Sequence, residues 1–123
     1  MNKEQIEKLQ GQIESVLAAS VDPEDGHLVK AQLADASRLL VTSTNCITAA
    51  KNIYLSTHAA WLRQHMEKIA EMKPSVAKLY TDTAVVDEQI LLTRCEANYK
   101  NLCRYSDNLV TILSYLKAEM SIQ

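Results

Sequence analysis

The sequence predicts an all-α protein, built as an elongated helical hairpin of two long helices plus a short N-terminal helix. Only 2 Gly and 2 Pro occur in 123 residues, too few for the turns of a strand-rich fold. Apolar residues recur at helical spacing over long stretches. Contents of 47% hydrophobic and 23% charged residues are typical of a globular protein. We therefore expect a single helical domain over residues 1–123.

The first helix is expected within residues 1–21, where one apolar stripe is formed by Ile6, Leu9, Ile13, Val16 and Leu17. Pro23, Gly26 and clustered acids then predict a loop over residues 22–26. Charged and apolar residues alternate at the N-terminus and form no continuous apolar signal segment, so we expect a cytoplasmic location.

A long second helix is expected over residues 27–73, which contain no Gly or Pro. Its apolar residues recur every seven positions, with Ala36 and Ala50 between them: Leu33, Leu40, Ile47, Tyr54 and Trp61. We expect Tyr54 and Trp61 to be core side chains. Residues 41–45 are poor helix formers and mark the point where this helix could kink or restart.

A break is expected over residues 74–83, because Pro74 lacks a backbone donor and disfavours helix at Lys73. It leaves room for one short helical turn, and residues 81–83 offer an N-cap for the last helix. That helix, over residues 84–120, has coiled-coil spacing. One seam position holds Val85, Leu92, Tyr99, Ser106, Leu113 and Met120, and the other holds Cys95, Leu102, Leu109 and Leu116.

Further apolar residues flank the C-terminal seam, namely Ile90, Leu91, Tyr105, Val110 and Ile112. A hairpin with one short helix cannot cover all of these side chains, so we expect a homo-oligomer that forms through helix packing. The alternative is a monomeric three-helix bundle in which the first helix covers this surface.

Catalytic and metal-binding motifs are not found in the sequence. It has no HExxH, GxSxG or P-loop motif, and two glycines cannot build a phosphate-cradling loop. His58 and His65 are about 10 Å apart along a helix, too far to share a metal. The three cysteines form no CxxC pair and are expected to be reduced, buried thiols. We expect no enzyme, no cofactor, no metal and no membrane span.

The charge distribution favours a binding protein. Residues 38–80 carry six basic and two acidic residues, whereas the segments before and after carry net charges of −4 and −2. The basic run Arg63, Lys68, Lys73 and Lys78 is interleaved with aromatic rings, the combination found in single-strand binders. Because the whole chain has a charge of −2, strong binding requires several copies. The alternative is that the basic run is only a solvated face.

The order of these features resembles the UvsY-type recombination mediators of phages, small helical proteins that form rings and help load a recombinase onto single-stranded DNA. The resemblance covers about residues 35–120. It is carried by the aromatic and basic stretch 54–63, the segment Ala77-Lys78-Leu79-Tyr80, and the end of the last helix over residues 109–117.

The resemblance implies that Lys73 and Lys78 contact the DNA backbone, with Lys68 and Arg63 in support and Tyr80 as a stacking partner. It also implies assembly through the C-terminal helix, at Leu102, Leu109, Leu113 and Leu116. A recombinase or a single-strand-binding protein would be a further partner. The competing hypothesis is a helical protein interaction module, such as a chaperone, scaffold or inhibitor of a host protein, that binds a partner helix through its apolar stripes.

Overall fold

The computed structural model describes residues 1–122 and contains four helices: α1 (Lys3–Ala18), α2 (Gly26–Ala70), α3 (Pro74–Ala84) and α4 (Val86–Ile122). This part of the chain contains no strand, so the all-α prediction is confirmed. None of the helices described is both long and apolar enough to cross a membrane.

The two long helices pack closely as an antiparallel hairpin. Cys46 of α2 shares a buried cluster with Cys95 of α4, and Leu39 shares another with Leu102, so residue numbers fall along α2 as they rise along α4. Trp61, fifteen residues after Cys46, contacts Tyr80, fifteen residues before Cys95. The path of α4 along α2 is therefore continued by α3. At about 1.5 Å per residue, the 45 residues of α2 span roughly 70 Å.

Helix α1 packs on its own chain, in the groove between α2 and α4. Ile6 joins the cluster around Cys46 and Cys95, and Ile13 joins the cluster around Leu39 and Leu102. Asn2 and Gln5 form a capping box at its start, each bonding the other's backbone N–H at 2.9 Å. The first helix thus covers part of the flanking surface identified above, since Leu91 is buried and Tyr105 half-buried, while Ile90 and Val110 remain exposed.

Polar contacts fix the position of α1 along α4. Arg94 donates two hydrogen bonds to the carboxylate of Glu14, at 2.6 and 2.8 Å, and Asn98 Nδ2 donates to both Glu14 and Gln10 at 3.0 Å. The hydrogen bonds from Arg94, followed by that from Asn98, lower the pKa of Glu14 to about 2. Because these partners must meet in one arrangement, they specify which turn of α1 faces which turn of α4.

The seam of α2 differs from the predicted stripe. The predicted stripe is only half-buried: Leu33, Leu40, Ile47, Tyr54 and Trp61. A different set at heptad spacing is buried: Val29, Ala36, Ser43 and Ala50. The expectation that Tyr54 and Trp61 are core side chains was therefore wrong. Small side chains in the seam let the helix backbones approach closely, and the larger stripe lies to one side.

Helix α2 also continues without interruption through residues 41–45. Thr44 Oγ1 donates to the Val41 carbonyl at 2.8 Å, and Ser43 is buried in the seam. Tertiary packing therefore outweighs the low helix propensity of this stretch.

The expected break over residues 74–83 is instead the helix α3, so the last helix begins at Val86 and only residues 71–73 form the turn after α2. Pro74 occupies the first helical position, where a missing N–H costs nothing. Thr81 and Thr83 do not cap the last helix, because their hydroxyls donate to the carbonyls of Ala77 and Leu79 at 2.8 Å.

The leucines expected at an oligomer interface divide into two pairs. Leu102 and Leu109 are 0% and 1% exposed in the core of their own chain, so they offer no surface to a second copy. Leu113 and Leu116 are half-buried and line an open cleft with Gly26 and Lys30. The reason is the hairpin itself, because α2 covers the heptad seam of α4.

The three cysteines are free thiols. Cys46 and Cys95 are buried, as expected, whereas Cys103 is only half-buried. Burial raises the pKa of Cys95 to about 11 and also raises that of Cys46. Both buried cysteines therefore stay protonated at neutral pH and act as small apolar side chains.

Candidate nucleic-acid interface

The end of the hairpin that lies beyond α1 consists of the last turns of α2, the turn 71–73 and α3. We call residues 61–80 the tip. All five residues predicted to bind DNA lie in it: Arg63, Lys68, Lys73, Lys78 and Tyr80. Because α3 folds back along α2, basic and aromatic residues that are far apart in sequence come together here.

Three aromatic rings join the two helices of the tip. The Trp61 and His65 rings, one turn apart on α2, are stacked with their centroids 4.3 Å apart. The Tyr80 ring of α3 meets Trp61 at 5.0 Å with a tilt of 60°, and meets the edge of His65 at 6.4 Å. Offset and tilted arrangements at these distances are favourable for aromatic pairs. Trp61 therefore holds α3 against α2.

Lys68 contacts the same cluster from the next turn of α2. Its Nζ donates to the Tyr80 hydroxyl at 3.2 Å and lies 5.0 Å from the centre of the ring. The shorter distance is to the oxygen, so the contact is better described as a hydrogen bond than as a cation over the ring face. The contact puts a cation beside the one predicted stacking residue.

His65 is oriented by the backbone. Its Nδ1 lies 2.8 Å from the carbonyl oxygen of Trp61. Since a carbonyl oxygen can only accept a hydrogen bond, Nδ1 is the donor in this contact. The imidazole is thereby fixed flat against Trp61.

The other three bases of the tip are exposed: Arg63, Lys73 and Lys78. None of them forms an ion pair within residues 1–122, where the two ion pairs are Lys3–Glu88 and Arg94–Glu14. Lys73 precedes the first turn of α3, which has no side-chain cap. The acids of this region, Glu67, Glu71 and Asp82, are exposed as well.

The structure thus brings two of the five predicted residues, Lys68 and Tyr80, into direct contact, and places the other three on the same tip without contacts among them. Trp61 and His65 were not predicted as site residues. The signal that identifies them is the pairing of aromatic rings at a spacing of four on α2, which also occurs one heptad earlier, where Tyr54 and His58 stack at 5.9 Å.

A metal centre finds no support in the geometry: no group of three or more His, Cys, Asp or Glu side chains able to hold an ion occurs in the described part of the chain. Compared with protein-family models, with curated proteins and with solved structures, the chain gave no match. The functional assignment therefore depends on the geometry of the tip.

Proposed function

We propose that the protein is a non-enzymatic, self-assembling helical protein that binds single-stranded DNA at its tip, as expected of a UvsY-type recombination mediator. The observation that supports this proposal is the contact of Lys68 with Tyr80 beside Trp61 and His65, with three more cations exposed on the same tip. Phosphate-binding charge next to stacking rings is the combination that single-strand binders use.

The exposure and the contacts of the tip residues indicate a different role for each of them. Arg63, Lys73 and Lys78 are free to attract phosphates, and the uncapped amide groups at the start of α3 add partial positive charge beside Lys73. Tyr80 is half-buried, so one part of the ring is held by Trp61 while another part is open to a base. Capture is electrostatic and independent of base sequence.

Self-assembly makes this weak site effective. One tip carries four Lys and Arg against two acids, a small positive charge on a chain whose net charge is −2. A single copy would therefore bind a strand weakly, whereas several tips on one strand multiply their affinities. In the proposed role the assembly holds the strand extended for a recombinase or a single-strand-binding protein and has no catalytic step.

A second candidate function is supported by the apolar surface of the same region. Val76 and Leu79 are exposed on α3 and line a cleft with Trp61 and Thr83. An exposed apolar cleft on a helical hairpin also suits a partner helix, which would make the protein a scaffold, chaperone or inhibitor.

The test is fluorescence anisotropy of a labelled single strand and its matched duplex at low and physiological salt. We expect tighter binding to the single strand, weakening with salt, and loss of binding in the double variant Lys73→Glu with Lys78→Glu at unchanged helicity. Absence of binding at low salt would reject DNA binding and favour the protein-partner function. Unchanged binding by the double variant would reject the tip as the site.

A further inference from the structure

The outer face of α2 is uncharged over about seven turns. It consists of two heptad-spaced rows, Val41, Thr48, Leu55 and Leu62 in one and Asn45, Asn52, Ala59 and Met66 in the other. Val41, Thr48 and Leu55 each lie five residues after the buried Ala36, Ser43 and Ala50, a rotation of about 140° away from the seam. This outer face is therefore distinct from the surface that packs on α4.

Most of the outer face is open to solvent. Six of its eight side chains are exposed and two are half-buried, with Val41 at 65% and Leu55 at 51% exposure. A helix face directed to water in a soluble protein is normally rich in charged residues. A long uncharged face with exposed Val, Leu and Met is instead typical of a surface that another helix covers.

A second unpartnered surface runs along α3 and α4. Its residues alternate in steps of three and four, the spacing of a coiled-coil seam: Val76, Leu79, Thr83, Val86, Ile90, Thr93 and Ala97. All seven are exposed, with Leu79 at 69% and Ile90 at 60%. Only Val85 separates the two helices, so we treat this α3–α4 stripe as one surface. It is about 32 Å long, against about 38 Å for the outer face of α2.

The two uncharged surfaces are flanked by residues of opposite charge. Between Asp35 and Glu67, the charged residues of α2 are all basic: Arg38, Lys51 and Arg63. Between Lys78 and Arg94, the charged residues of α3 and α4 are all acidic: Asp82, Asp87 and Glu88. Glu88 is held by Lys3 of its own chain, whereas Asp82 and Asp87 are exposed.

We infer that the chain assembles head to tail, with the outer face of α2 of one copy packed against the α3–α4 stripe of the next copy. This pairing sets the basic residues that flank one surface beside the acidic residues that flank the other, whereas two α2 faces or two stripes would set like charges against each other. Because the two surfaces differ, the contact is heterologous and leaves each copy with one free surface for a further neighbour.

The inference rests on the self-assembly included in the proposed function and names the surfaces that carry it. Leu102 and Leu109 are buried in the core of their own chain, so the inference assigns the interface to other residues, which are exposed in a single copy. It also leaves Lys68, Lys73 and Lys78 outside both surfaces, so these three lysines of the tip remain available to DNA in the assembly. Four other tip residues, Leu62, Met66, Val76 and Leu79, belong to the proposed interface.

The test is analytical ultracentrifugation of the full chain without DNA. Wild type is expected above the monomer mass of 13.8 kDa. The variants Leu55→Asp and Ile90→Asp each place a charge inside the proposed seam, and each should weaken assembly by about 100-fold or more. The matched control Val110→Asp replaces another exposed apolar residue of α4, at a site that lies on neither surface, and should keep the wild-type mass.

Mixing the two variants tests the head-to-tail arrangement itself. Each variant retains one intact surface, so an equimolar mixture should give a species of twice the monomer mass, although each variant alone is monomeric. Wild type that is monomeric, variants that still assemble, or a mixture that stays monomeric would each overturn the inference. Dissociation by Leu55→Asp but not by Ile90→Asp would overturn it in favour of pairing between two α2 faces.

Folding and DNA binding are measured separately. If either variant loses helicity by circular dichroism, Val41→Asp and Leu79→Asp test the same two surfaces at more exposed positions. Normal assembly without binding to single-stranded DNA would reject the proposed function and leave the interface standing. If the wild type binds single-stranded DNA without assembling, the proposed interface is rejected and DNA binding still stands.

Discussion

The salt dependence of DNA binding gives the most quantitative prediction for the tip. Four exposed bases lie on it, namely Arg63, Lys68, Lys73 and Lys78. For single strands, log K falls with log salt with a slope of about −0.7 for each phosphate neutralised, which gives about −2.8 for one tip. Raising the salt from about 50 to about 200 mM should then weaken binding by about 50-fold per tip.

Replacing Lys73 and Lys78 by Ala removes two of the four contacts. The slope should fall to about −1.4, and the same rise in salt should cost about sevenfold per tip. If several copies bind one strand, both slopes become steeper in proportion to the number of tips engaged. The ratio of the two slopes stays at about one half, so the prediction does not depend on the size of the assembly.

The assay is a titration of a labelled oligonucleotide at five or six salt concentrations, with the slope obtained from the dissociation constants. The matched control is Lys8→Ala with Lys100→Ala, which makes the same change in charge at exposed positions on α1 and α4. The control should retain the wild-type slope. A slope that is unchanged in the tip variant, or equally reduced in the control, would refute a phosphate site at the tip.

Two further predictions concern the fold. Leu102→Ala should lower the free energy of unfolding by about 2–5 kcal/mol, because Leu102 is fully buried, and Leu113→Ala should cost clearly less at its half-buried site. Urea denaturation measures both, and equal costs would contradict the placement of Leu102 in the core. The pKa of Glu14 lies at about 2 in the fold against an ordinary 4.5, so its stabilising effect is complete above pH 4.5 and is lost as the pH falls toward 2. Glu14→Gln should therefore reduce the fall in melting temperature over that range, and an unchanged fall would show that its bonds to Arg94 do not stabilise the fold.

Helix content and the hairpin could be predicted because they depend on local chemistry. The absence of Gly and Pro from residues 27–73 predicts one long helix, and α2 is one helix from Gly26 to Ala70. Pro74 marked the change of direction after α2. It did not show that a helix follows, because proline is unfavourable inside a helix but well suited to its first position.

The seam of α2 could not be chosen from the sequence. Two sets of residues have a spacing of seven, one led by large apolar side chains such as Leu40 and Ile47 and the other by Ala36, Ser43 and Ala50. Periodicity alone favours the larger side chains. The structure buries the smaller set, because α1 and α4 both approach this side of α2 and close approach requires small residues.

For the candidate site, the sequence by itself determined which residues are basic and aromatic and that they lie between residues 61 and 80. Only the tertiary structure decided that Tyr80 meets Trp61 and Lys68, since this contact depends on how α3 packs against α2. It also decided that Leu102 and Leu109 belong to the core of one chain. The physical reason is the same in both cases: helix spacing determines which residues share a face, whereas the surface that covers each face is determined by the packing of the whole chain.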